Sequence, residues 1–436
     1  MKKSKYIIIT ITVFAFVLNL ISCNKDKKEN NNSDEVVTKS ERQIYEFLAP
    51  SGTGFTSGCP TIVNDVLYIG TSSRDKNTNN YFYKFNLNLS KIWEYPLGSM
   101  QLKGSASLDS YGNIYFITDT AGIYPNGVGL KLYSLSNNGS LRWSKKISQH
   151  FILQGNKSVA ISQDDNIYAP GDSLYAFDIN GNKVWTYYNG NISGGVHQAP
   201  IIDPNGNIYF SSYGNIFSIN KKGTLKWKYE TGEVSPCKSS CAFNVDYSSV
   251  IVPTDRTLYS ISTSTGSLNW KYNFNINADF RSTPAVDENN IIYIGSHGNG
   301  DAKDESTLYA VKADGTGIIW EYNLGGDIYS SPTLGSDGVV YIGSEGHNNT
   351  DDVHNRLHAF NMTTGSKLWS AQLGNDVVGG SPILANNGII YIGTMHVADN
   401  VTFASGLFGF QTNGATLRTN CGSPTFQLSN AHNGRR

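Results

Sequence analysis

The chain has 436 residues and is nearly neutral, with 34 lysines and arginines against 35 aspartates and glutamates. Removal of a leader that carries Lys2, Lys3 and Lys5 would leave 31 basic residues against the same 35 acidic ones. A slightly acidic protein lacks the basic surface that holds a nucleic-acid backbone, so the composition excludes nucleic acid as the expected partner.

The first element is predicted to be an export signal. Three lysines precede an apolar run from Ile7 to about Leu20, which is short for a membrane span and typical of a signal peptide. The run ends in LISC, which resembles the lipobox of bacterial lipoproteins. We therefore expect residues 1–22 to be removed and Cys23 to be lipidated, with an uncleaved signal anchor as the alternative.

Residues 23–40 are predicted to form a disordered tether, because their charges and asparagines leave few apolar side chains for a core. The NKDKKE start of this segment is similar to charged export signals of surface lipoproteins. These features predict a bacterial outer-membrane lipoprotein, on the periplasmic or the outer face. Only its lipid anchor would contact the membrane.

From residue 41 onward the chain repeats itself. The stretches STPAVDENNIIYIGS, SSPTLGSDGVVYIGS and GSPILANNGIIYIGT contain Pro284, Pro332 and Pro382, which are 48 and 50 residues apart. Each copy predicts two short strands joined by a tight turn, since Asp-Gly and Asn-Gly pairs suit hairpin turns. A third apolar run, another glycine turn and a tryptophan strand follow, so the unit has four strands.

The tryptophans mark the period of this repeat. They are separated by 50, 42, 42, 43, 50 and 49 residues, and every tryptophan of the chain falls in the series Trp93, Trp143, Trp185, Trp227, Trp270, Trp320 and Trp369. Tyr45 and Arg418 occupy the same place at the two ends, which gives eight units. Four-stranded repeats of this length predict an all-β, eight-bladed β-propeller over residues 41–436. We expect the tryptophans to pack between blades.

One motif carries a family resemblance. Ala359, Asn361, Thr364, Gly365 and Trp369 fit the tryptophan-docking motif of the pyrroloquinoline-quinone (PQQ) type of eight-bladed propellers, and the other repeats keep the same step or one residue less. The first blade has a leucine at the glycine position. The tail SPTFQLSNAHNGRR is similar to the terminal segment of these proteins, although its tryptophan is missing.

The resemblance implies two classes of function. Some members are dehydrogenases that hold PQQ with calcium over the channel, and others are non-catalytic lipoproteins such as the BamB-like assembly factors. The dehydrogenases carry two adjacent cysteines, and this sequence has none. We therefore expect a monomeric, non-catalytic propeller that binds an envelope protein or a glycan and needs no cofactor. A quinoprotein dehydrogenase or a metal-assisted hydrolase is the alternative.

Four cationic side chains stand three residues before the proline of the first strand or its equivalent: Lys103, His197, Lys238 and Arg281. The first strand of a propeller blade lines the central channel, so these side chains are expected to form a cationic arc at its mouth. Such an arc suits an anionic ligand. The alternative is a pore lining whose charges are satisfied by water.

Three histidines, His297, His347 and His396, follow the Tyr-Ile-Gly segments of successive blades, near Asp301, Glu345 and Asp399. Imidazole and carboxylate groups are ordinary zinc ligands. Equivalent positions on neighbouring blades are too far apart for one ion, and no fixed ligand spacing is present, so polar loop residues are the favoured interpretation.

Four cysteines remain in a chain that is exported to an oxidising compartment. Cys421 follows the last blade and would lie beside Cys59 of blade one in a closed ring, which predicts a disulfide between them. Cys237 and Cys241 are predicted to pair through a local bend.

The blades differ mainly in the loop between the second and third strands. This loop is long in blades six, seven, eight, one and two, which are consecutive on a closed ring, and short in blades three to five. We expect a raised crescent over one side of the channel mouth, as a binding surface for a glycan or a peptide. Tolerated insertions are the alternative. The crescent carries aromatic and polar side chains, namely Tyr124, His347, His354, His396 and Phe403.

Overall fold

A computed structural model gives the fold over residues 40–55, 58–73, 77–120, 129–148, 157–190, 195–196, 198–233, 238–276, 278–298, 306–345, 355–373, 379–394 and 405–426. The regular elements of these residues are β-strands. No helix among them is long and apolar enough to cross a membrane.

The strands follow the repeat. The chain begins with β1 (Gln43–Leu48), and blade one contains β2 (Thr61–Val63), β3 (Val66–Gly70), β4 (Asn80–Asn86) and β5 (Lys91–Gly98). Blade two contains β6 (Met100–Leu102), β7 (Ser107–Leu108), β8 (Ile114–Thr120), β9 (Lys131–Leu135) and β10 (Leu141–Lys146). Blade three contains β11 (Ala160–Ile161), β12 (Ile167–Pro170), β13 (Leu174–Phe177) and β14 (Lys183–Tyr187). Blade four contains β15 (Ile201–Ile202), β16 (Ile208–Ser212), β17 (Asn215–Ile219) and β18 (Leu225–Glu230).

The second half is built in the same way. Blade five contains β19 (Ala242–Phe243), β20 (Ser249–Pro253), β21 (Thr257–Ser262) and β22 (Leu268–Asn273). Blade six contains β23 (Ala278–Asp279), β24 (Ala285–Val286), β25 (Ile292–Gly295), β26 (His297–Gly298), β27 (Thr307–Val311) and β28 (Ile318–Asn323). Blade seven contains β29 (Thr333–Leu334), β30 (Val339–Ser344), β31 (Arg356–Asn361) and β32 (Lys367–Gln372). Blade eight contains β33 (Ile383–Leu384), β34 (Ile389–Gly393) and β35 (Gly406–Gln411).

Each blade is built on a four-stranded antiparallel sheet, whose strands follow chain order in blades one to seven. Blade two has the additional strand β6, and blade six has the additional two-stranded ladder β23–β26. The first strands of neighbouring blades contact one another, as β7, β11 and β15 do, and they line the central channel. The predicted eight-bladed, all-β propeller is thus confirmed.

In blades one to six the docking tryptophan lies against a glycine of the next blade. The Trp320 indole lies against Gly365 of blade seven, and its Nε1 donates a hydrogen bond to Met362 O over 2.8 Å. Gly365 has a φ of +69°, so the turn needs a backbone conformation that glycine adopts without strain. In blade one, Leu89 takes the corresponding turn with a φ of +60° despite its side chain.

The N-terminal strand closes the ring. β1 pairs antiparallel with β35 and supplies the outermost strand of blade eight, with Tyr45 opposite Gly409. The sequence left open whether this strand or the GATLRT segment takes that place. The Arg42 guanidinium lies 5.0 Å from the centre of the Trp369 ring, so the N-terminal segment also covers the tryptophan of blade seven.

The C-terminal segment takes another path, into the channel. Ser423 pairs with Val286 of blade six, and Leu417 pairs with Gly335 of blade seven. Arg418 forms an ion pair with Glu288. At the end of the described segment, Phe426 is buried in a cluster with Cys59 of blade one and Ala199 of blade four. The segment therefore spans the channel from blades six and seven to the opposite wall.

A belt of hydrogen bonds joins the blades just before their first strands. The backbone N–H of the residue at this position donates to the side chain at the same position of the next blade, over 2.7 to 3.2 Å. The residues that take part are Cys59, Ser105, Ser158, Ser240, Thr283, Ser331 and Ser381. Ala199 takes this place in blade four and has no hydroxyl. Beside this gap, Ser240 Oγ is buried without a hydrogen-bond partner in the described residues.

The predicted disulfide between Cys59 and Cys421 is not formed. Cys59 is a free, buried thiol, and its Sγ accepts the Ser381 N–H in the belt. Cys421 lies with the C-terminal segment at blade six, where its Sγ is 3.8 Å from Glu288 Oε2. The prediction was wrong because it assumed that the chain after blade eight stays beside blade one. Cys237 lies outside the described residues, so its predicted bond to Cys241 stays a prediction.

Candidate binding site at the channel mouth

The mouth is the end of the channel at which the first strands begin. Two places of the repeat meet there: the residues just before the first strand, and the residue four positions after the tyrosine of the second strand. In blade six they pair as Asp279 with His297 in the short β23–β26 ladder. In blade two, Gln101 pairs with Asp119 in the same way.

Blades five to seven place eight polar side chains together here, which we call the mouth cluster: Lys238, Asp255, Asp279, Arg281, His297, Asp327, Tyr329 and Glu345. Asp279 is its buried centre, 3% exposed. Lys238 Nζ lies 2.5 Å from Asp279 Oδ2, and Arg281 Nε lies 3.0 Å from Oδ1. Burial raises the pKa of Asp279, but the hydrogen bonds from Lys238 and Arg281 outweigh it and hold the pKa below its ordinary value.

His297 connects blades six and seven. Its Nε2 lies 2.7 Å from Tyr329 Oη and 3.5 Å from Asp327 Oδ2, and its Nδ1 lies 3.8 Å from Asp279 Oδ1. Burial and the Arg281 charge lower the pKa of His297, against the opposing effect of the two carboxylates. The net effect favours the neutral form of the ring.

Tyr329 has a polar partner on each side. Arg281 Nη1 donates to Tyr329 Oη over 3.1 Å, and the guanidinium lies 5.1 Å from the centre of the ring. Burial raises the pKa of Tyr329 to about 12, so the hydroxyl stays protonated. Because Lys238, Arg281 and Tyr329 are only half-buried, their outer atoms remain accessible from the mouth.

A second polar group lies on the side of blades two and three. Lys157 is buried and donates to Val196 O over 3.2 Å. Burial and the neighbouring Lys103 lower its pKa well below the ordinary value, while Asp119 opposes this. Burial likewise lowers the pKa of Lys103.

These contacts change the expected character of the mouth. Lys103, Lys238 and Arg281 do lie there, but carboxylates stand beside them. The mouth cluster contains two cations and four carboxylates, so it is not a bare cationic arc. Sequence reasoning named Glu345 only as a neighbour of a possible metal site and missed Asp255, Asp279 and Asp327. A signal was available for two of the four carboxylates, because the position four residues after the strand-two tyrosine or its equivalent holds Asp119, Asp172, Asp255, His297 and Glu345.

Several predicted site residues lie outside the described residues: Cys23, Tyr124, His197, His347, His354, His396 and Phe403. The raised crescent, whose loops contain five of them, namely Tyr124, His347, His354, His396 and Phe403, therefore stays a prediction. Within the described part of the chain, no group of three or more histidine, cysteine and carboxylate side chains is placed to hold a metal ion.

Known proteins support the same architecture. Residues 254–395 match the family described as outer membrane protein assembly factor BamB. No curated protein matches the sequence.

Three solved structures are similar in fold. A europium-containing methanol dehydrogenase has 13% identity and a TM-score of 0.67 over 85% of this chain and 93% of its own. BamB from Moraxella catarrhalis has 14% identity and a TM-score of 0.60 over 85% and 97%. The C-terminal WD40 domain of Sif2 has 12% identity and a TM-score of 0.59 over 85% and 98%. The chain is thus an eight-bladed β-propeller whose residues 254–395 match the family of PQQ-type repeats described as outer membrane protein assembly factor BamB.

Proposed function

We propose that this protein is a non-catalytic envelope lipoprotein that binds a partner protein at the channel mouth. The observation that carries the proposal is the mouth cluster, whose half-buried Lys238, Arg281 and Tyr329 are held in place by a buried carboxylate and by one another. Polar side chains fixed before binding lose little conformational freedom on association, which favours recognition. All members of the cluster except Lys238 also fall within the stretch that matches BamB.

A glycan ligand at the same face is the second candidate, because Tyr329 and the paired charges offer both a ring and hydrogen-bonding groups. An enzyme of the quinoprotein class is the third. Bound quinone absorbs visible light and reduces a dye when an alcohol or a sugar is added. Neither signal is expected from the purified protein, and either one would replace the proposal.

The anchor is proposed from Cys23. Incorporation of a labelled fatty acid into the wild type, and its loss in Cys23→Ala, tests this part. Protease access in intact cells distinguishes the periplasmic face from the outer face.

Binding at the mouth is tested by pull-down of the lipidated protein from its own envelope. The variant Lys238→Ala, Asp279→Asn, Arg281→Ala removes the charges without leaving a buried carboxylate unpaired. Its control, Lys222→Ala with Lys226→Ala, changes two exposed lysines away from the mouth. We expect the triple variant to lose the partner that wild type and control recover. Equal recovery by all three proteins would contradict the proposal.

A further inference from the structure

Blade five lacks a tyrosine that every other blade has. The second strand of each other blade places a buried tyrosine at one register position, namely Tyr68, Tyr115, Tyr168, Tyr209, Tyr293, Tyr341 and Tyr391. In each of these blades the tyrosine pairs with a third-strand residue that in turn pairs with the docking tryptophan or its equivalent. The same row in blade five reads Ile251, Ser260 and Trp270.

The tyrosine normally fills the space beside the tryptophan. In the six other blades that have both, the two ring centres are 5.6 to 6.4 Å apart. In blades two, four and six the tyrosine hydroxyl donates to the aspartate that directly follows the first strand, as Tyr209 does to Asp203 over 2.9 Å. In blade seven it donates to Asp337, further along the same turn. Blade five has Asn244 at the position directly after the first strand, so both partners of the pair are replaced.

A cleft occupies this place. It has a volume of about 490 Å³ between blades five and six, on the face opposite the mouth, and is lined by Ile251, Asn269 and Trp270 together with several serines. The volume lies within the range of roughly 300 to 1,000 Å³ that is usual for small-molecule sites. It is well above the roughly 150 Å³ cavity that holds one benzene ring.

The lining is hydroxyl- and amide-rich. Six serine and threonine residues and three asparagines face one half-buried tryptophan, and none of the described residues that line the cleft is charged. Asn269 Nδ2 donates to Ser249 Oγ over 2.9 Å, which fixes its amide and leaves its oxygen as an acceptor. Five other docking tryptophans donate Nε1–H to a carbonyl of the next blade. Within the described residues Trp270 makes no such bond, so its N–H remains available.

We infer that this cleft is a binding site for a neutral sugar ring. A pyranose offers an apolar face to an indole and hydroxyls to serine and asparagine side chains. A phenolic side chain of another protein is less suited, because the carboxylate that accepts the phenol O–H elsewhere is replaced by Asn244 and because the cleft exceeds one ring. The absence of charge in the lining disfavours acidic sugars.

Saturation-transfer NMR and calorimetry on the full mature protein test the inference. The probes are D-glucose, D-galactose, N-acetyl-D-glucosamine and their methyl glycosides, with galacturonate and p-cresol for comparison. At least one neutral sugar should bind with a millimolar Kd. Ile251→Tyr restores the missing ring and should weaken binding at least tenfold, whereas Lys226→Ala, at the position in blade four that corresponds to Asn269, should leave it unchanged.

Asn269→Leu gives the same test if Ile251→Tyr does not fold, which its unfolding midpoint reveals. Three results would each overturn the inference. The first is no saturation transfer from any neutral sugar at about 50 mM, a probe concentration chosen to exceed a millimolar Kd. The second is binding of p-cresol without binding of sugars, and the third is unchanged sugar binding in both variants. Because the cleft and the mouth lie on opposite faces, the triple mouth variant should still bind the sugar. The two proposals can therefore fail separately.

Discussion

Replacement of Gly365 by alanine tests how much tryptophan docking contributes to stability. A Cβ at Gly365 would lie 2.5 Å from Trp320 Cδ2, whereas two carbon atoms prefer a separation of about 3.5–4.0 Å. The indole must therefore move by about 1 Å. Gly338 in the same blade is the matched control, because its φ of +75° is similar and a Cβ there meets nothing within 4 Å.

The magnitudes follow from these two environments. A left-handed alanine costs about 1–2 kcal/mol in either variant. Overpacking against Trp320 adds about 1–3 kcal/mol in Gly365→Ala alone. Urea unfolding should thus show Gly365→Ala to be less stable than Gly338→Ala by about 1–3 kcal/mol.

A double-mutant cycle assigns that difference to the indole. In the background of Trp320→Leu, Gly365→Ala should cost no more than Gly338→Ala does. Equal destabilisation by the two glycine substitutions in the wild type would refute the reasoning, because docking against Trp320 would then carry no stability beyond the turn conformation.

Three other substitutions probe the channel. Phe426→Ala should destabilise the protein by about 3 kcal/mol in urea unfolding, because the ring is 2% exposed and packs beside Cys59. Tyr111→Ala, at a side chain that is 71% exposed, should cost little, and equal effects of the two substitutions would contradict a packed C-terminal segment. Burial lowers the pKa of Lys157, so below the ordinary lysine pKa near 10.5 the unfolded chain binds more protons than the folded protein does. Wild-type stability should therefore rise between about pH 7 and pH 9.5, and it should rise more than the stability of Lys157→Met. The pKa of His297 is lowered as well, so its contribution to the free energy of unfolding is present above about pH 6.5 and is lost as pH falls through its pKa in the folded protein. His297→Gln should reduce this loss in unfolding measured from about pH 7.5 to about pH 5. For either residue, identical pH profiles of variant and wild type would contradict the burial argument.

The sequence was sufficient for the architecture because one large side chain repeats at a nearly fixed spacing. Trp93 to Trp369 gave the blade count, and the Asp-Gly and Asn-Gly pairs gave the hairpins. Two strands of similar pattern remained open for the closing position, since local pattern does not tell which chain end reaches a given edge. Pairing over the whole length of the chain decides this, as β1 with β35 shows.

The path of the C-terminal segment was not predictable for the same reason. The sequence of residues 416–426 has no pattern that predicts the pairing of Ser423 with Val286 or the contact of Phe426 with Cys59. The wrong disulfide was predicted because this path of the chain was not known. At the mouth, Lys238 and Arg281 were found from their repeat position. Asp279 was missed because it lies on β23, a short strand outside the four-stranded repeat.

Site-specific photocrosslinking in the native envelope tests the central claim, that the protein acts by binding at the channel mouth. A photoreactive phenylalanine replaces Tyr329 in one variant and the exposed Tyr111, on the opposite face, in the other. Binding at the mouth predicts a crosslinked partner from position 329 and none from position 111. A partner captured from position 111 and not from 329 would contradict the claim.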